Sequence, residues 1–373
     1  MKRRDMLLAT AGVVVELARP ASLRSSGPDA PAKLGSFRAL TAGTPLKIGA
    51  QATKPFLQTP DFAQFVTDNF DLLTPGLEFR WFRLRPTPDT FTFADADWMI
   101  DFCRGRKMAV HGHNLCWNAP GANPSWLPAT MAREQARKYL VDHISAVVGR
   151  YCGRIESWDV VNEPVVFWSK RPDGLYPGAW LGSLGEEYFD IAFNATRAAD
   201  PHALRILNCY YVEQDSPECI KTRELTLALL QRLLKRGVPV QAVGLESHLS
   251  AALPQGGAAF VQFLKQIKDM GLQLLITELD VDDSQVAGDT YTRDKVVGQY
   301  YYDFLVEAVQ PVQMQRVILW SPSDRANWLN GMKQPKFIRG DGQPHRPGLL
   351  DDSLRKKSVY DSVAAALMKV SAA

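Results

Sequence analysis

Apolar and polar positions follow two alternating patterns along most of this chain. Short apolar runs typical of buried strands are each followed by a longer segment with apolar residues at helical spacing. The clearest helical segments are 131–151, where Ala136, Leu140 and Ile144 share one face, and 218–236. Repeated strand–helix units produce parallel sheets. The pattern predicts eight strands, at 46–52, 72–79, 108–117, 155–162, 205–211, 240–248, 272–281 and 316–321.

Eight such units predict an α/β fold of the (β/α)8, or TIM, barrel type, with a single catalytic domain over residues 36–373. An open, doubly wound sheet is the alternative. That fold usually carries a glycine-rich phosphate turn after its first strand, and no such turn follows 46–52. We therefore expect a barrel.

The first 35 residues have a different character. Arg3 and Arg4 precede an apolar run that ends at Val15, the pattern of a twin-arginine (Tat) export signal. Glu16 interrupts the run and no clean small-residue cleavage site follows, so a cytoplasmic tail is the alternative. The segment 20–35 is rich in Pro, Ser, Ala and Gly. We expect residues 1–35 to be an export leader and linker, and the protein to be periplasmic or secreted.

Composition narrows the choice of partners. The formal net charge is only +3 and basic residues are interleaved with acidic ones, which favours neither nucleic acid nor a membrane surface as a partner. The densest basic run is Arg80, Arg83 and Arg85, and a neutral ligand or internal ion pairs explain it as well as a phosphate would. The five cysteines are odd in number and lack C-x-x-C spacing, so neither a disulfide framework nor a zinc site is indicated. A monomer is expected.

Two predicted strands end in carboxylic acids. The apolar residues of 155–162 lead to Glu163, and those of 272–281 include Glu278, 115 residues later (278 − 163). The carboxyl ends of barrel strands face the active site, and two carboxyl groups from different strands are what a glycosidase requires. Either glutamate alone would more simply be an exposed or ion-paired residue.

Other predicted strand ends carry aromatic and polar side chains. Tryptophans near carboxylates suit a sugar, because the CH-rich faces of sugars stack on indole rings while their hydroxyls bind polar groups. A single loop tryptophan would be ordinary packing. The residues concerned are His113 and Trp117 after the third strand, Glu246 and His248 at the sixth, and Trp320 and Trp328 at the eighth.

The segments Asp159-Val160-Val161-Asn162-Glu163 and Ile276-Thr277-Glu278-Leu279-Asp280, in this order on the fourth and seventh strands, resemble glycoside hydrolase family 10, the barrel enzymes typified by endo-β-1,4-xylanases. The resemblance runs from about residue 45 to the C-terminus. It implies a retaining β-glycosidase that acts by double displacement on xylan or β-1,4-linked xylo-oligosaccharides, with no metal or cofactor.

The resemblance also implies roles for individual residues. Glu163 would be the acid/base and Glu278 the nucleophile. Asn162 would bind the sugar 2-hydroxyl, and His248 with Asp280 would keep Glu278 ionised. The remaining residues would line the subsite of the sugar being cleaved: His113, Trp117, Trp320 and Trp328.

Several positions depart from the family pattern. Gly76 and Leu77 stand where the family has the Glu-Asn pair that grips the next sugar on the non-reducing side, which predicts a weakened or reshaped subsite. Arg80 replaces a sugar-binding lysine, Asn118 a common histidine and Glu246 a glutamine, so a third carboxyl joins the pair. A preference for short, aryl or otherwise unusual β-glycosides is the alternative specificity.

Two other classes of function remain open from the residues. His111-Gly112-His113 at a strand end is similar to a two-histidine metal site, which would suit a metal-dependent barrel hydrolase, although the further ligands expected at other strand ends are mostly missing. A barrel that binds sugar without cleaving it is the other class. Retaining hydrolysis requires two carboxyl groups about 5 to 5.5 Å apart, one neutral and one ionised.

Overall fold

A closed barrel of parallel strands forms the centre of the protein. The computed structural model describes residues 35–320 and 322–372, so the leader and linker predicted for 1–35 lie outside the described residues, apart from Gly35. Strands β1 to β6 pair in sequence order, and β6 pairs with β8. Strand β8 pairs with β9, and β9 pairs with β1, which closes the barrel. The predicted barrel is confirmed. The strands are β1 (Lys47–Ala52), β2 (Leu72–Pro75), β3 (Ala109–Gly112), β4 (Ser157–Asn162), β5 (Leu204–Cys209), β6 (Ala242–Leu245), β7 (His248–Ser250), β8 (Gln273–Asp282) and β9 (Arg316–Leu319).

Helices surround the barrel, and both helical segments singled out in the sequence form as predicted, as α6 and α9. The start of α9 shows why, because Ser216 caps it by accepting a hydrogen bond from the Cys219 N–H and Pro217 occupies its first position. The helices are α1 (Phe37–Thr41), α2 (Lys54–Leu57), α3 (Pro60–Asn69), α4 (Trp81–Leu84), α5 (Ala94–Gly105), α6 (Arg133–Arg150), α7 (Ala179–Leu184), α8 (Glu187–Ala199), α9 (Pro217–Lys235), α10 (Gly257–Asp269), α11 (Thr290–Val309) and α12 (Ser358–Ser371).

Three predicted strands extend well past the observed ones, and the sixth, predicted at 240–248, divides into β6 and the separate strand β7. The prediction for the second strand reached residue 79 and that for the third reached residue 117, but β2 ends at Pro75 and β3 at Gly112. The chain beyond each strand stays buried, because Phe79 packs against Tyr151 and Trp158 and the Leu115 N–H donates to the Asp159 carbonyl. The apolar character of these segments therefore made the predicted strands longer than the observed ones.

The two ends of the barrel differ in chemistry. At the amino ends of the strands, Glu156 pairs with Lys47 at 2.9 Å and with Arg316 at 3.1 Å, so these charges satisfy one another. The polar side chains at the carboxyl ends converge instead on a cleft, described below. Within the described ranges, no helix has the length and apolar character that a membrane span requires.

Candidate active site

The residues predicted from the sequence as a site meet at the carboxyl ends of the barrel strands. Each of them contacts another member of the set or Asn208, so the structure brings all of them into one connected group. They are Arg80, His113, Trp117, Asn162, Glu163, Glu246, His248, Glu278, Asp280, Trp320 and Trp328.

Glu163 follows the last residue of β4 in an unusual backbone conformation. Its φ of 46° is in the left-handed region, and its N–H donates a 2.9 Å hydrogen bond to the Asn208 carbonyl oxygen. The Trp117 indole N–H donates to its Oε2 at 2.9 Å. Burial raises the pKa of Glu163 to about 7, with a further contribution from the charge of Glu278, against the lowering effect of the indole hydrogen bond. A carboxyl group that stays protonated to near neutrality can donate a proton.

Glu278 lies within β8, and its pKa is shifted in the opposite direction from that of Glu163. Asn208 Nδ2 donates to its Oε1 at 2.8 Å, His248 Nε2 lies 3.4 Å from Oε2, and His113 Nδ1 lies 3.6 Å from Oε1. Burial alone would raise the pKa of Glu278, but His113 and His248 hold that pKa below its ordinary value. The carboxylate is therefore ionised and available as a nucleophile.

His248 is positioned by a carboxylate and an indole. Its Nδ1 lies 2.7 Å from Asp280 Oδ1, and Trp328 Nε1 donates to Asp280 Oδ2 at 2.5 Å. Burial alone would lower the pKa of His248, but Asp280 and Glu278 raise it well above its ordinary value. A protonated His248 presents a charged donor to Glu278, which stabilises the ionised form of that carboxylate.

The His-Gly-His sequence binds a buried carboxylate. His111 Nε2 and His113 Nδ1 both lie 2.8 Å from Asp159 Oδ2, and the other ring nitrogen of His111 lies 2.8 Å from Ser157 Oγ. Burial opposes ionisation of Asp159, but the two histidines lower its pKa to about 2. Although His113, Asp159 and Glu278 offer possible metal-ligand atoms within 4.8 Å of one another, these contacts account for the arrangement. The edge of Trp320 packs on His113, with ring centroids 5.2 Å apart.

Sequence reasoning missed Asn208, the residue at the centre of this group. Its Nδ2 donates to Asn162 Oδ1 and to Glu278 Oε1, both at 2.8 Å, and its Oδ1 accepts from Thr277 Oγ1 at 2.6 Å. Gly244 on the neighbouring strand makes room, because a Cβ there would lie 2.2 Å from Asn208 Oδ1. The available signal was an amide inside an otherwise apolar strand, since a buried amide requires hydrogen-bond partners.

Glu246 is the third carboxyl group in the cleft. It is 1% exposed, and its Oε1 lies 3.3 Å from Asn208 Nδ2. Burial first, and then the charges of Glu278 and Glu163, raise the pKa of Glu246 well above its ordinary value, so Glu246 is neutral at pH values that ionise a free carboxyl. The next residue, Ser247, has a φ of 60°, and the buried Glu213, also missed, accepts its N–H at 2.8 Å. That hydrogen bond fixes the turn between Glu246 and His248.

The positions that depart from the family pattern have distinct surroundings. The Arg80 guanidinium lies over the Trp117 ring, 5.0 Å from its centroid, and Nε donates to the Gly76 carbonyl at 3.4 Å. Its buried Nη1 has no hydrogen-bond partner among the described residues. Leu77 is 43% exposed. Asn118 supports the start of α7, since its Oδ1 accepts the Trp180 N–H at 3.1 Å.

The barrel and its cleft of paired carboxyl groups are those of a glycoside hydrolase, and comparison with known proteins gives the family. The profile of Glycosyl hydrolase family 10 matches residues 36–366, and the chain belongs to that family. Endo-1,4-beta-xylanase B of Thermotoga neapolitana is 27% identical over 335 residues, which cover 88% of this chain and 90% of that protein.

Solved structures agree with this family assignment. Native xylanase 10B of Thermotoga maritima superimposes with a TM-score of 0.79 at 25% identity, covering 90% of this chain and 99% of that one. Xylanase 10B of Thermotoga petrophila RKU-1, in complex with xylobiose, gives a TM-score of 0.78 at 26% identity, over 90% and 97% of the two chains.

Proposed function

We propose that this protein is a retaining β-glycosidase that cleaves xylan or xylo-oligosaccharides by double displacement. The observation that carries the proposal is that the pKa values of two glutamates, both hydrogen-bonded to Asn208, are shifted in opposite directions. Asn208 accepts the Glu163 N–H on its carbonyl and donates its amide to Glu278. The pKa of Glu163 is raised to about 7 while that of Glu278 is lowered, as an acid and a nucleophile require.

The chemistry follows from these protonation states. Glu278 attacks the anomeric carbon and forms a glycosyl ester while Glu163 gives its proton to the departing oxygen, so that the glycosidic C–O bond breaks. In the second step Glu163 takes a proton from water, the water oxygen bonds to the anomeric carbon, and the ester bond to Glu278 breaks. Both carboxyl groups return to their starting states.

The surrounding residues have supporting roles in the proposal. Asn162, held by Asn208 at 2.8 Å, presents its amide to the sugar 2-hydroxyl. His248 and Asp280 keep Glu278 ionised through their 2.7 Å contact. The sugar being cleaved is bound by the indole and polar surfaces of His113, Trp117, Arg80, Glu246, Trp320 and Trp328.

Relatives support xylan-derived substrates. The Thermotoga neapolitana relative is named an endo-1,4-beta-xylanase, and the Thermotoga petrophila structure holds xylobiose. We extend this substrate class to the present chain because the residues that surround its carboxyl pair form one connected site.

The glycone side of the cleft supports a second candidate specificity, for short, aryl or otherwise unusual β-glycosides. Gly76 offers no side chain there, and Leu77 presents a 43% exposed apolar surface. The second sugar therefore meets different groups from those expected of the family pattern.

A substrate panel tests the proposal. Polymeric xylan, xylo-oligosaccharides and aryl β-glycosides should be compared with analysis of products. Release of the aryl group from an aryl β-xyloside is expected, and a complete lack of turnover would favour a sugar-binding barrel. High activity on xylan with mainly two- and three-sugar products would contradict the altered subsite. Loss of activity on exhaustive chelation, restored by a divalent metal, would favour the metal-dependent class.

We also propose export through the twin arginines, with a monomeric mature protein. Replacing Arg3 and Arg4 by lysine should retain the full-length chain in the cytoplasm, which cell fractionation would detect. Equal export of both forms would contradict the proposal. Light scattering of the purified protein would give the mass of one chain if the protein is a monomer.

A further inference from the structure

The side chain of Gln51 occupies the space beside Gly76. Gln51 lies near the carboxyl end of β1, in register with Thr74 of β2. A Cβ atom added to Gly76 would lie 1.7 Å from Gln51 Nε2 and 2.8 Å from its Cδ. Gly76 does not have a positive φ, so its backbone conformation does not require glycine. A side chain at this position would have to displace the Gln51 amide, which lies against Gly76.

The Gln51 amide has no protein partner among the described residues. Its side chain is half-buried, and within the described part of the chain the amide makes no hydrogen bond. A primary amide offers two donor hydrogens and an oxygen with two acceptor sites. Such a group suits a ligand whose hydroxyls can both donate and accept.

The contacts of Gly76 place this amide on one particular side of the cleft. The Gly76 carbonyl accepts from Arg80 Nε, and the Arg80 guanidinium lies over Trp117, which donates to Glu163. Gln51 therefore lies on the rim formed by β1 and β2, and Gly76, Arg80 and Trp117 link it to Glu163.

The position of the acid/base residue assigns this rim to the glycone. Glu163 protonates the departing oxygen, so the leaving group lies toward the loops after β4 and β5. There Tyr176 donates its N–H to the Pro164 carbonyl and packs with Tyr210. The sugars that precede the cleaved bond extend the other way, past Arg80 to the β1–β2 rim.

We infer that the Gln51 amide is a specificity-determining, substrate-binding group that hydrogen bonds the hydroxyls of the neutral sugar preceding the one being cleaved. Gly76 is the positioning residue that leaves room for it. This inference rests on the proposed function. The subsite has thus exchanged a side chain on β2 for one on β1, and it binds through an uncharged group.

Two substrates separate this inference from the proposed function. An aryl β-xyloside places one sugar in the glycone side, whereas an aryl β-xylobioside places two. Loss of a neutral hydrogen bond should lower kcat/KM of Gln51→Ala on the xylobioside roughly tenfold, with less than about a twofold change on the xyloside. Gln64→Ala is the matched control, because Gln64 is exposed on α3 and bonds only to Asp68 among described residues.

The outcomes are distinct. Wild type that releases the aryl group from neither substrate would contradict the proposed function itself. Wild type active on both, with Gln51→Ala unchanged on both or reduced equally on both, would overturn the inference about Gln51 alone.

Gly76→Ala provides an independent test, because its methyl group would displace the amide. Its kcat/KM should fall on the xylobioside as that of Gln51→Ala does, and the double variant should be no worse than either single one, since both changes remove the same contact. Losses that multiply in the double variant would overturn the positioning role of Gly76. A melting temperature for each variant confirms folding, and Gln51→Ala decides the inference if Gly76→Ala does not fold.

Discussion

Asn208 Nδ2, on β5, donates a 2.8 Å hydrogen bond to Glu278 Oε1 on β8, across the intervening strand β6. The same amide holds Asn162, and the backbone carbonyl of Asn208 accepts the N–H of Glu163. One residue, 0% exposed, therefore contacts the Glu278 carboxylate, the Asn162 amide and the backbone of Glu163. Its position explains why Gly244 is a glycine, and it makes Asn208 as important to the site as residues that touch the substrate.

Replacement of Asn208 should reduce turnover without unfolding the protein. A hydrogen bond to a charged group contributes about 1.5 to 3 kcal/mol, so Asn208→Ala should lower kcat roughly 10- to 100-fold. Loss of this donor should also raise the pKa of Glu278 and move the acidic limb of the pH–rate profile to higher pH. Gly244→Ala, whose methyl group would clash with Asn208 Oδ1, should have the same effect. Kinetics as a function of pH test both variants, and an unchanged kcat would contradict this role.

Removal of each catalytic carboxyl should have a different signature. Glu278→Gln should abolish turnover of every glycoside, because no nucleophile remains. Glu163→Gln should lose about 100- to 10,000-fold on xylo-oligosaccharides, but much less in the first step with an aryl leaving group that departs without protonation. Burst kinetics with an activated aryl glycoside measure the difference. Near wild-type activity of Glu278→Gln would exclude it as the nucleophile.

The pH dependence of kcat/KM should follow the shifted pKa values of Glu163 and Glu278. The proposed mechanism requires a protonated Glu163 and an ionised Glu278. Since the pKa of Glu163 is raised to about 7, kcat/KM should fall as pH rises through that value. The pKa of Glu278 is lowered, so activity should persist below the pH at which an ordinary glutamate becomes protonated. A pH–kcat/KM profile for a neutral substrate tests both limbs, and an alkaline limb that remains after Glu163→Gln would contradict the assignment.

Glu246 should make the protein less stable as pH rises. Its pKa is raised in the folded state, so above the ordinary glutamate pKa the folded protein retains a proton that the unfolded chain has released. Stability from this group is therefore greatest at low pH and declines as pH increases, by at most about 1.4 kcal/mol per pH unit, until the folded-state pKa is reached. Glu246→Gln should remove this loss of stability with rising pH, because the amide does not ionise and has nearly the same shape as the carboxyl group.

Thermal melts of wild type and Glu246→Gln across pH 4 to 8 provide the measurement. The melting temperature of the variant should match wild type near the acidic end and exceed it increasingly toward neutrality. Glu218→Gln, at the start of α9, is a suitable control for loss of one negative charge. An advantage for Glu246→Gln that is constant with pH would mean that Glu246 is not held neutral.

The barrel was predictable because most of its strands are short buried runs and its longer helices carry apolar residues at helical spacing, and local spacing records both. The prediction overestimated the second and third strands because apolar residues such as Leu115 continue past the strand ends and stay buried there. The two glutamates were identifiable because each ends or interrupts an apolar strand with a charge.

What local spacing does not record is which side chains from separate strands meet. Asn208 looked like one polar residue in a strand, and its importance depends on Asn162 and Glu278 pointing to it from both sides. Gly76 alone indicates a missing contact, whereas the structure places Gln51, 25 residues earlier (76 − 51), against it. Such relationships arise from the pairing and packing of separate strands.

Trapping the covalent intermediate tests the double-displacement account most directly. A 2-deoxy-2-fluoro aryl β-xylobioside should inactivate the protein by forming a stable glycosyl ester, and peptide mass spectrometry should find the sugar on Glu278. Attachment at another residue, or steady turnover of ordinary substrates with no adduct at Glu278 under conditions that trap an intermediate, would contradict the account.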